Sequence, residues 1–265
     1  MSRIIDRKYT QDFIYRVLSE ADLSFYEDQG YLLLGRTLTD RGLSLMQKQC
    51  MEVWNAHKES FKEGKTWTQN ALLSDIHHCS DVACRYFFSG PLVDISVSLV
   101  APNLKGASSQ LTFKMRHNTQ SFHWHQDTGY AELAPDNTVT TLTALDDCDV
   151  ENGCLWIVPG SHKQGRINVN YTNEDRKSQV EIKLDVDESQ ARPMEMKAGE
   201  CLVFHNWMLH KSEGNRSDRD RRVLFLRYAD ADAVEVYNEH KPRLGRLLRG
   251  VTKFPEIETY ESSLL

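Results

Sequence analysis

The sequence predicts a mainly β protein, a sandwich or closed jelly roll, with flanking helices. From residue 108 onward, short segments show the alternation or the β-branched and aromatic content of strands. These segments are Ser109–Met115, Ser121–Gln126, Thr138–Leu145, Cys154–Val158, Pro193–Met196, Cys201–His205 and Arg222–Tyr228. Turn sequences such as Asn152-Gly153 and Pro159-Gly160-Ser161 separate them. Many short strands joined by turns are typical of two-sheet β folds.

The first hundred residues carry helical patterns instead. Apolar residues recur at helical spacing between Thr39 and Lys62, which predicts a long helix. Two further helices are predicted over Cys79–Phe88 and Pro91–Val100, and Pro91 suits the first turn of the second one.

The composition is that of a single folded domain. Of the 265 residues, 40% are hydrophobic and 26% are charged, which excludes a disordered chain, a collagen and a coiled coil. We assign 1–107 to mostly helical support and pocket cover, 108–230 to the jelly-roll core and 231–265 to a C-terminal helix or tail. The basic run from Lys241 to Lys253 favours a solvated segment, with a lid over a pocket as the alternative.

Charge, apolar runs and cysteine spacing indicate which partners and which cellular location to expect. A net charge of −6 argues against nucleic acid or an acidic membrane surface as the partner. No apolar run approaches the ~18 residues of a membrane span, and the opening residues lack a secretory signal. The six cysteines form no CxxC pair. We therefore expect a cytoplasmic protein with reduced thiols, present as a monomer or a homodimer.

The segment His123-Trp124-His125-Gln126-Asp127 contains a candidate metal site. Residues two apart in a strand share a face, so His125 and Asp127 can direct an imidazole and a carboxylate toward one point. Such ligands suit a divalent transition metal. An HxD triplet alone is common by chance, so the segment needs support from elsewhere.

A second candidate segment begins at His210, after an apolar run, and continues through Ser212 to the arginine cluster around residue 221. Arg221 and Arg222 fall on opposite faces of the predicted strand there. An arginine at the mouth of a strand can bind a carboxylate with two hydrogen bonds, and Ser212 can add a hydroxyl. The alternative is a solvated charge cluster.

The two candidate segments together indicate one metal site. His125, Asp127 and His210 form a 2-His-1-carboxylate set, the facial triad of non-haem Fe(II) sites that activate O2. A co-substrate that chelates the iron and ends in a carboxylate needs a cation behind the metal, and Arg221 fits that role.

Motifs in a fixed order also run along nearly the whole chain. They are Phe25-Tyr26-Glu27-Asp28-Gln29-Gly30-Tyr31, Trp124-His125-Gln126-Asp127, Ala144-Leu145-Asp146-Asp147, Glu151-Asn152-Gly153-Cys154-Leu155, Val158-Pro159-Gly160-Ser161-His162-Lys163, Ala198-Gly199-Glu200, His210-Lys211-Ser212 and Asn215-Arg216-Ser217. Arg221 follows eleven residues after His210. In these motifs the sequence resembles the phytanoyl-CoA dioxygenase family of Fe(II)- and 2-oxoglutarate-dependent oxygenases.

The resemblance implies a double-stranded β-helix, the jelly-roll or cupin-like core of that family. It implies Fe(II), 2-oxoglutarate and O2 as cofactor and co-substrates. By the same resemblance, His125, Asp127 and His210 bind the iron.

The resemblance also implies a binding site for 2-oxoglutarate. Arg221 and Ser212 match the residues that hold its distal carboxylate. Thr112 and Lys114 lie on the strand before the HxD motif, where family members place co-substrate or substrate contacts.

The implied activity is the oxidation of a small metabolite or a natural-product intermediate, with succinate and CO2 as co-products. Family members that halogenate replace the carboxylate ligand, so Asp127 favours hydroxylation, or a desaturation, cyclisation or demethylation that begins with the same hydrogen abstraction. Two alternatives stay open: a non-catalytic jelly-roll protein that binds a carboxylate, and a zinc-dependent cupin-like enzyme.

Two further residues are candidate substrate contacts. Strand alternation places His123 on the face of His125 and places Phe122 on the other face, in the core. Family members often carry Trp at the position of Leu142, and Trp156 or Trp207 is a candidate to replace that wall of the 2-oxoglutarate pocket.

Overall fold

The computed structural model describes residues 11–57, 72–117, 121–129, 132–167 and 184–264. It contains five α-helices in these ranges: α1 (Glu20–Gln29), α2 (Asp40–His57), α3 (Asp81–Ser89), α4 (Pro91–Leu99) and α5 (Pro255–Thr259). The predicted helices match α2, α3 and α4, and the end expected for the first of them, at Lys62, lies outside the described residues. Pro91 occupies the first turn of α4, as its fixed φ favours.

Local chemistry also fixes the ends of α1. Ser19 and Asp22 form a capping box in which each side chain accepts a hydrogen bond from the backbone N–H of the other residue. Gly30 ends the helix at φ +78°, a left-handed conformation that glycine adopts without strain. The chain therefore turns directly into the first strand.

Within the described ranges, fourteen strands follow from residue 31 onward. They are β1 (Tyr31–Arg36), β2 (Leu72–Ser74), β3 (Leu104–Lys114), β4 (Phe122–His125), β5 (Leu133–Ala134), β6 (Val139–Ala144), β7 (Leu155–Ile157), β8 (Arg192–Met194), β9 (Glu200–His205), β10 (His210–Ser212), β11 (Arg221–Asp230), β12 (Val234–Glu235), β13 (Lys241–Pro242) and β14 (Arg246–Arg249). Each predicted strand corresponds to one of these.

The strands form two packed antiparallel sheets and a small third one. The large sheet has the order β1-β9-β6-β11-β3-β14, and β2 also pairs with β3. The smaller sheet has the order β4-β10-β7-β8. Apolar residues of β6, β9 and β11 pack against residues of β7 and β8, so the two sheets share one core. This arrangement confirms the predicted jelly roll.

The long strand β11 separates the two layers of the core. Leu224, Leu226 and Tyr228 face the helices and pack with residues of α3 and α4. Val223 and Phe225 alternate with them and belong to the core between the sheets. Residues at odd positions of β11 therefore point between the sheets, where the candidate site lies.

The C-terminal segment differs from the predicted helix or tail. Residues 231–265 contain three short strands before the five-residue helix α5. Arg246–Arg249 pairs antiparallel with the start of β3, because that edge of the large sheet offers unpaired backbone groups. Arg243, just before β14, reaches the central cavity, so part of this segment covers the pocket.

In the described part of the chain, no helix combines the length and the apolar character needed to cross a membrane.

Candidate active site

The smaller sheet brings two histidines together. His210 on β10 pairs directly with His125 on β4, and their ring centroids are 4.1 Å apart. The Nδ1 atom of His125 lies 2.7 Å from the carbonyl oxygen of His123, and that of His210 lies 2.9 Å from the carbonyl oxygen of Met208. In the tautomer that these bonds favour, Nδ1–H donates to the backbone and Nε2 presents a lone pair.

Asp127 supplies the carboxylate. It begins a short 3₁₀ turn directly after β4, and its Oδ1 atom is 3.8 Å from Nε2 of His210. The hydroxyl of Thr140 donates to Oδ2 at 2.5 Å, and Nε of Arg227 lies 3.4 Å from the same oxygen. Both residues come from the large sheet, on β6 and β11, so the two sheets jointly orient this side chain.

The electrostatics suit a divalent metal. Burial lowers the pKa of His125 to about 3, with His210 beside it adding to the effect, and burial also lowers the pKa of His210. Burial alone would raise the pKa of Asp127, but Arg227 and the two imidazoles hold it below its usual value. One ligand atom from each of the three residues lies within 4.8 Å of the other two. Two neutral nitrogens and one carboxylate match a facial triad.

A cavity of about 310 Å³ joins this triad to a buried arginine. Arg221 is only 3% exposed, and its Nε atom is among the buried side-chain atoms that have no hydrogen-bond partner within the described ranges. The hydroxyl of Thr112, on the neighbouring strand β3, is another such atom, and Ser212 also lines the cavity. Buried donors without partners are costly, so this end of the cavity is built to receive an acceptor such as a carboxylate.

Comparison with known proteins decides the family. The sequence model of the phytanoyl-CoA dioxygenase family (PhyH) matches residues 26–223, which is most of the chain. The chain belongs to the phytanoyl-CoA dioxygenase family. It is a 2-oxoglutarate-dependent dioxygenase that uses Fe(II), 2-oxoglutarate and O2.

Individual relatives agree with this assignment. Phytanoyl-CoA dioxygenase 1 of Oryza sativa subsp. japonica is 25% identical over 82% of this chain and 91% of its own length. A methylphosphonate hydroxylase of Gimesia maris is 31% identical, over 45% of this chain and 44% of its own. The crystal structure of SnoK, a non-haem α-ketoglutarate-dependent carbocyclase from nogalamycin biosynthesis, shares the fold with a TM-score of 0.67 and 24% identity, covering 88% of this chain and 94% of SnoK.

The donor set of this dioxygenase fits both groups that the family uses. The triad offers two nitrogens and one carboxylate to iron. The Nε of Arg221 and the hydroxyl of Thr112, which have no partner among the described residues, can donate to the far carboxylate of 2-oxoglutarate. Arg222 points to the other face of β11, where it makes two hydrogen bonds to Asp146, at 2.7 and 2.5 Å.

Lys114 lies opposite Arg221 in the β3–β11 pairing. Its ammonium donates to the backbone carbonyls of Ser212 and Glu213. Burial and the charge of Arg221 hold the pKa of Lys114 well below its usual value. Through its two hydrogen bonds, Lys114 fixes the end of β10 next to Arg221.

The structure does not bring the two candidate substrate residues to the cavity. His123 is exposed, and Trp156 lies on the side of its strand that faces Lys211, whose ammonium is 6.0 Å from the ring. Phe122, predicted to pack in the core, lines the cavity instead. The cause is a register shift between the His210–His125 and Ser212–Phe122 pairs, which interrupts strand alternation along β4.

The two residues that hold Asp127 were not among the predicted site residues. Arg227 lies six residues after Arg221 on β11, so strand alternation places both on the cavity face. That signal was available for Arg227. Thr140 carries no such signal, because its contact with Asp127 depends on how the two sheets pack.

Proposed function

We propose that the dioxygenase removes hydrogen from a C–H bond of a small metabolite or natural-product intermediate and hydroxylates that carbon, with succinate and CO2 as co-products. One observation carries the proposal: the triad lines the same cavity as Arg221 and Thr112, whose Nε atom and hydroxyl have no partner within the described ranges. A single 2-oxoglutarate molecule can then reach both the metal and the arginine.

His125, Asp127 and His210 hold the iron in this proposal. Bound iron and 2-oxoglutarate supply the oxidising chemistry, and the protein supplies ligands, orientation and a dry site. Thr140 and Arg227 keep Asp127 in one rotamer as an anion, so the metal meets a fixed carboxylate.

Arg221, Thr112 and Ser212 hold the distal carboxylate of 2-oxoglutarate. The guanidinium supplies charge-assisted hydrogen bonds, and the hydroxyl of Thr112 supplies a neutral one. Lys114 supports this arrangement from behind through the carbonyl of Ser212.

The rice and Gimesia relatives are named for substrates as different as phytanoyl-CoA and methylphosphonate. We therefore infer the substrate class from the cavity. Asp136, Thr138 and Asn206 form a polar wall in it. The amide nitrogen of Asn206 donates to Asp136. In the part of the chain that the structure describes, the buried Oδ1 atom of Asn206 and the hydroxyl of Thr138 have no hydrogen-bond partner. This wall can accept hydrogen bonds from a substrate that carries hydroxyl, amide or amino groups.

Part of the remaining wall is apolar. Phe122, Leu133 and Phe225 contribute to it. Apolar side chains around the metal exclude water and hold the carbon skeleton of the substrate. The cavity therefore suits a small substrate that carries hydrogen-bond donors at one end.

Succinate release in air tests the proposal. Purified protein is loaded with Fe(II) and 2-oxoglutarate, and succinate and O2 uptake are followed with a panel of small polar metabolites. We expect slow succinate release without substrate and stimulation by the substrate. Asp127→Ala should abolish both, because it removes the anionic ligand.

The alternatives give other results. Binding of Fe(II) and 2-oxoglutarate without succinate, across a broad panel, would support the carboxylate-binding protein. Tight retention of zinc without any response to 2-oxoglutarate would support the zinc-dependent enzyme.

Asn206→Leu tests the polar wall of the cavity. It should weaken the stimulation of succinate release by a substrate, while the slow succinate release without substrate stays unchanged.

A further inference from the structure

A second cluster of metal-ligating side chains lies away from the triad. Nε2 of His77 is 3.2 Å from one carboxylate oxygen of Glu261, and Nε2 of His78 is 2.7 Å from the other. One ligand atom from each of the three lies within 4.8 Å of the other two. The two histidines form a 3₁₀ turn after β2, and Glu261 follows α5, more than 180 residues later in the sequence.

His77 is held in one orientation. Its ring is buried and lies 5.2 Å from the rings of both Phe87 and Phe88. Its Nδ1 atom is 2.6 Å from the hydroxyl of Ser109, which also accepts the backbone N–H of His77. A serine hydroxyl both donates and accepts, so it is compatible with a protonated Nε2 that bonds Glu261 and with an Nε2 lone pair that faces a cation.

Glu261 is also fixed. Its backbone has φ +50°, uncommon for a residue other than glycine, and its side chain is only 13% exposed. Asp75 adds negative charge near His77. The cluster thus combines two imidazoles and a carboxylate in one place, with His78 partly exposed as a route from solvent.

We propose that His77, His78 and Glu261 bind a zinc ion, with water as the fourth ligand. Zinc takes imidazole nitrogen and carboxylate oxygen at about 2.0–2.2 Å, so neighbouring ligand atoms of a tetrahedral site lie about 3.4 Å apart. The His77–Glu261 distance of 3.2 Å is already close to this value. His78 bonds the other carboxylate oxygen at 2.7 Å, so its Nε2 atom has to shift to about 3.4 Å from the oxygen that the two histidines would share. His78 can move because its side chain is 42% exposed.

The position of the site gives the ion a structural role. Glu256 and Tyr260, just before Glu261, line a second cavity of about 900 Å³. This cavity shares Arg227 and Arg243 with the active-site cavity, so the two adjoin. Zinc at the cluster would hold the C-terminal segment in place beside the substrate cavity.

Zinc titration of a variant without the triad histidines tests the proposal. In the His125→Ala/His210→Ala background we expect one Zn²⁺ per chain by calorimetry, and Co²⁺ in its place should give visible ligand-field bands. Zinc at one hundred times its Kd should raise Tm by roughly 5–10 °C. Glu261→Gln in this background should weaken zinc binding at least tenfold. Glu258→Gln, a matched loss of charge on α5, should leave it unchanged.

No zinc binding in the background variant, or equal binding after Glu261→Gln, would overturn the proposal. If the background variant does not fold, the stoichiometry of the intact chain decides. Two zinc ions per chain that fall to one in Glu261→Gln support the second site, and one ion in both proteins overturns it. None of these readouts depends on enzyme activity.

Discussion

Arg221 and Arg222 are consecutive residues whose guanidinium groups lie on opposite faces of β11. Arg221 is buried in the cavity wall, and its Nε atom has no partner among the described residues. Arg222 makes two hydrogen bonds to Asp146 on the helix-facing side. We therefore assign the proposed binding role to Arg221 and a structural role to Arg222.

We predict that Arg221→Ala raises the apparent KM for 2-oxoglutarate by roughly 30-fold or more, since losing a buried charge-assisted partner costs about 2–5 kcal/mol. The KM is measured from succinate release at saturating iron. Arg222→Ala is the matched control and should lower Tm with little change in KM. The reverse ranking would show that Arg222 faces the co-substrate.

Iron binding should depend on His210. We predict that His210→Ala abolishes Fe(II) binding, because two ligands remain and one coordination position loses its nitrogen. Iron content is measured after anaerobic loading and desalting. His205→Ala provides the control, since His205 lies on β9 and accepts the backbone N–H of Trp207. Full iron loading of His210→Ala would show that His210 is not an iron ligand.

The hydroxyl of Thr140 should contribute to metal affinity without touching the metal. We predict that Thr140→Val weakens Fe(II) binding about 10- to 100-fold, because Asp127 loses its 2.5 Å donor. Thr141→Val removes a neighbouring buried hydroxyl that donates to the carbonyl of Leu226. It should lower stability by about 1 kcal/mol and leave iron affinity intact. Equal iron affinity in both variants would contradict the proposed support of Asp127.

Lys105 should make stability depend on pH above 8. Its buried ammonium donates to the carbonyls of Ala231 and Ala233, and burial lowers its pKa to about 8. Between pH 8 and its ordinary pKa the unfolded chain binds more protons, so the free energy of unfolding rises with pH. This rise should be on the order of 1–3 kcal/mol and should be absent in Lys105→Met.

Urea unfolding at pH 7.5 and pH 10 measures this difference. Lys48→Met removes a lysine whose side chain is 72% exposed and should retain the rise seen in the wild-type protein. A Lys105→Met protein with the same pH dependence as the wild type would show that the lysine is not responsible.

Much of the site follows from local sequence. A strand reverses the direction of its side chains at each residue, so the sequence places Arg221 and Arg222 on opposite faces before any tertiary structure is known. The motifs around His125, Asp127 and His210 predict the family, the jelly roll and the cofactors. These predictions depend on short-range geometry and on residue types that suit iron.

Tertiary structure decided the rest. The register shift between β4 and β10 places Phe122 in the cavity and leaves His123 exposed. Such an irregularity interrupts the alternation of side chains along the strand, and the residue types alone do not predict it. Part of the predicted tail forms β14 on the edge of β3. The unpaired backbone N–H and C=O groups of a strand edge can pair with another segment of the chain. Thr140 reaches Asp127 only because the two sheets pack face to face, and such contacts between distant segments depend on the whole fold.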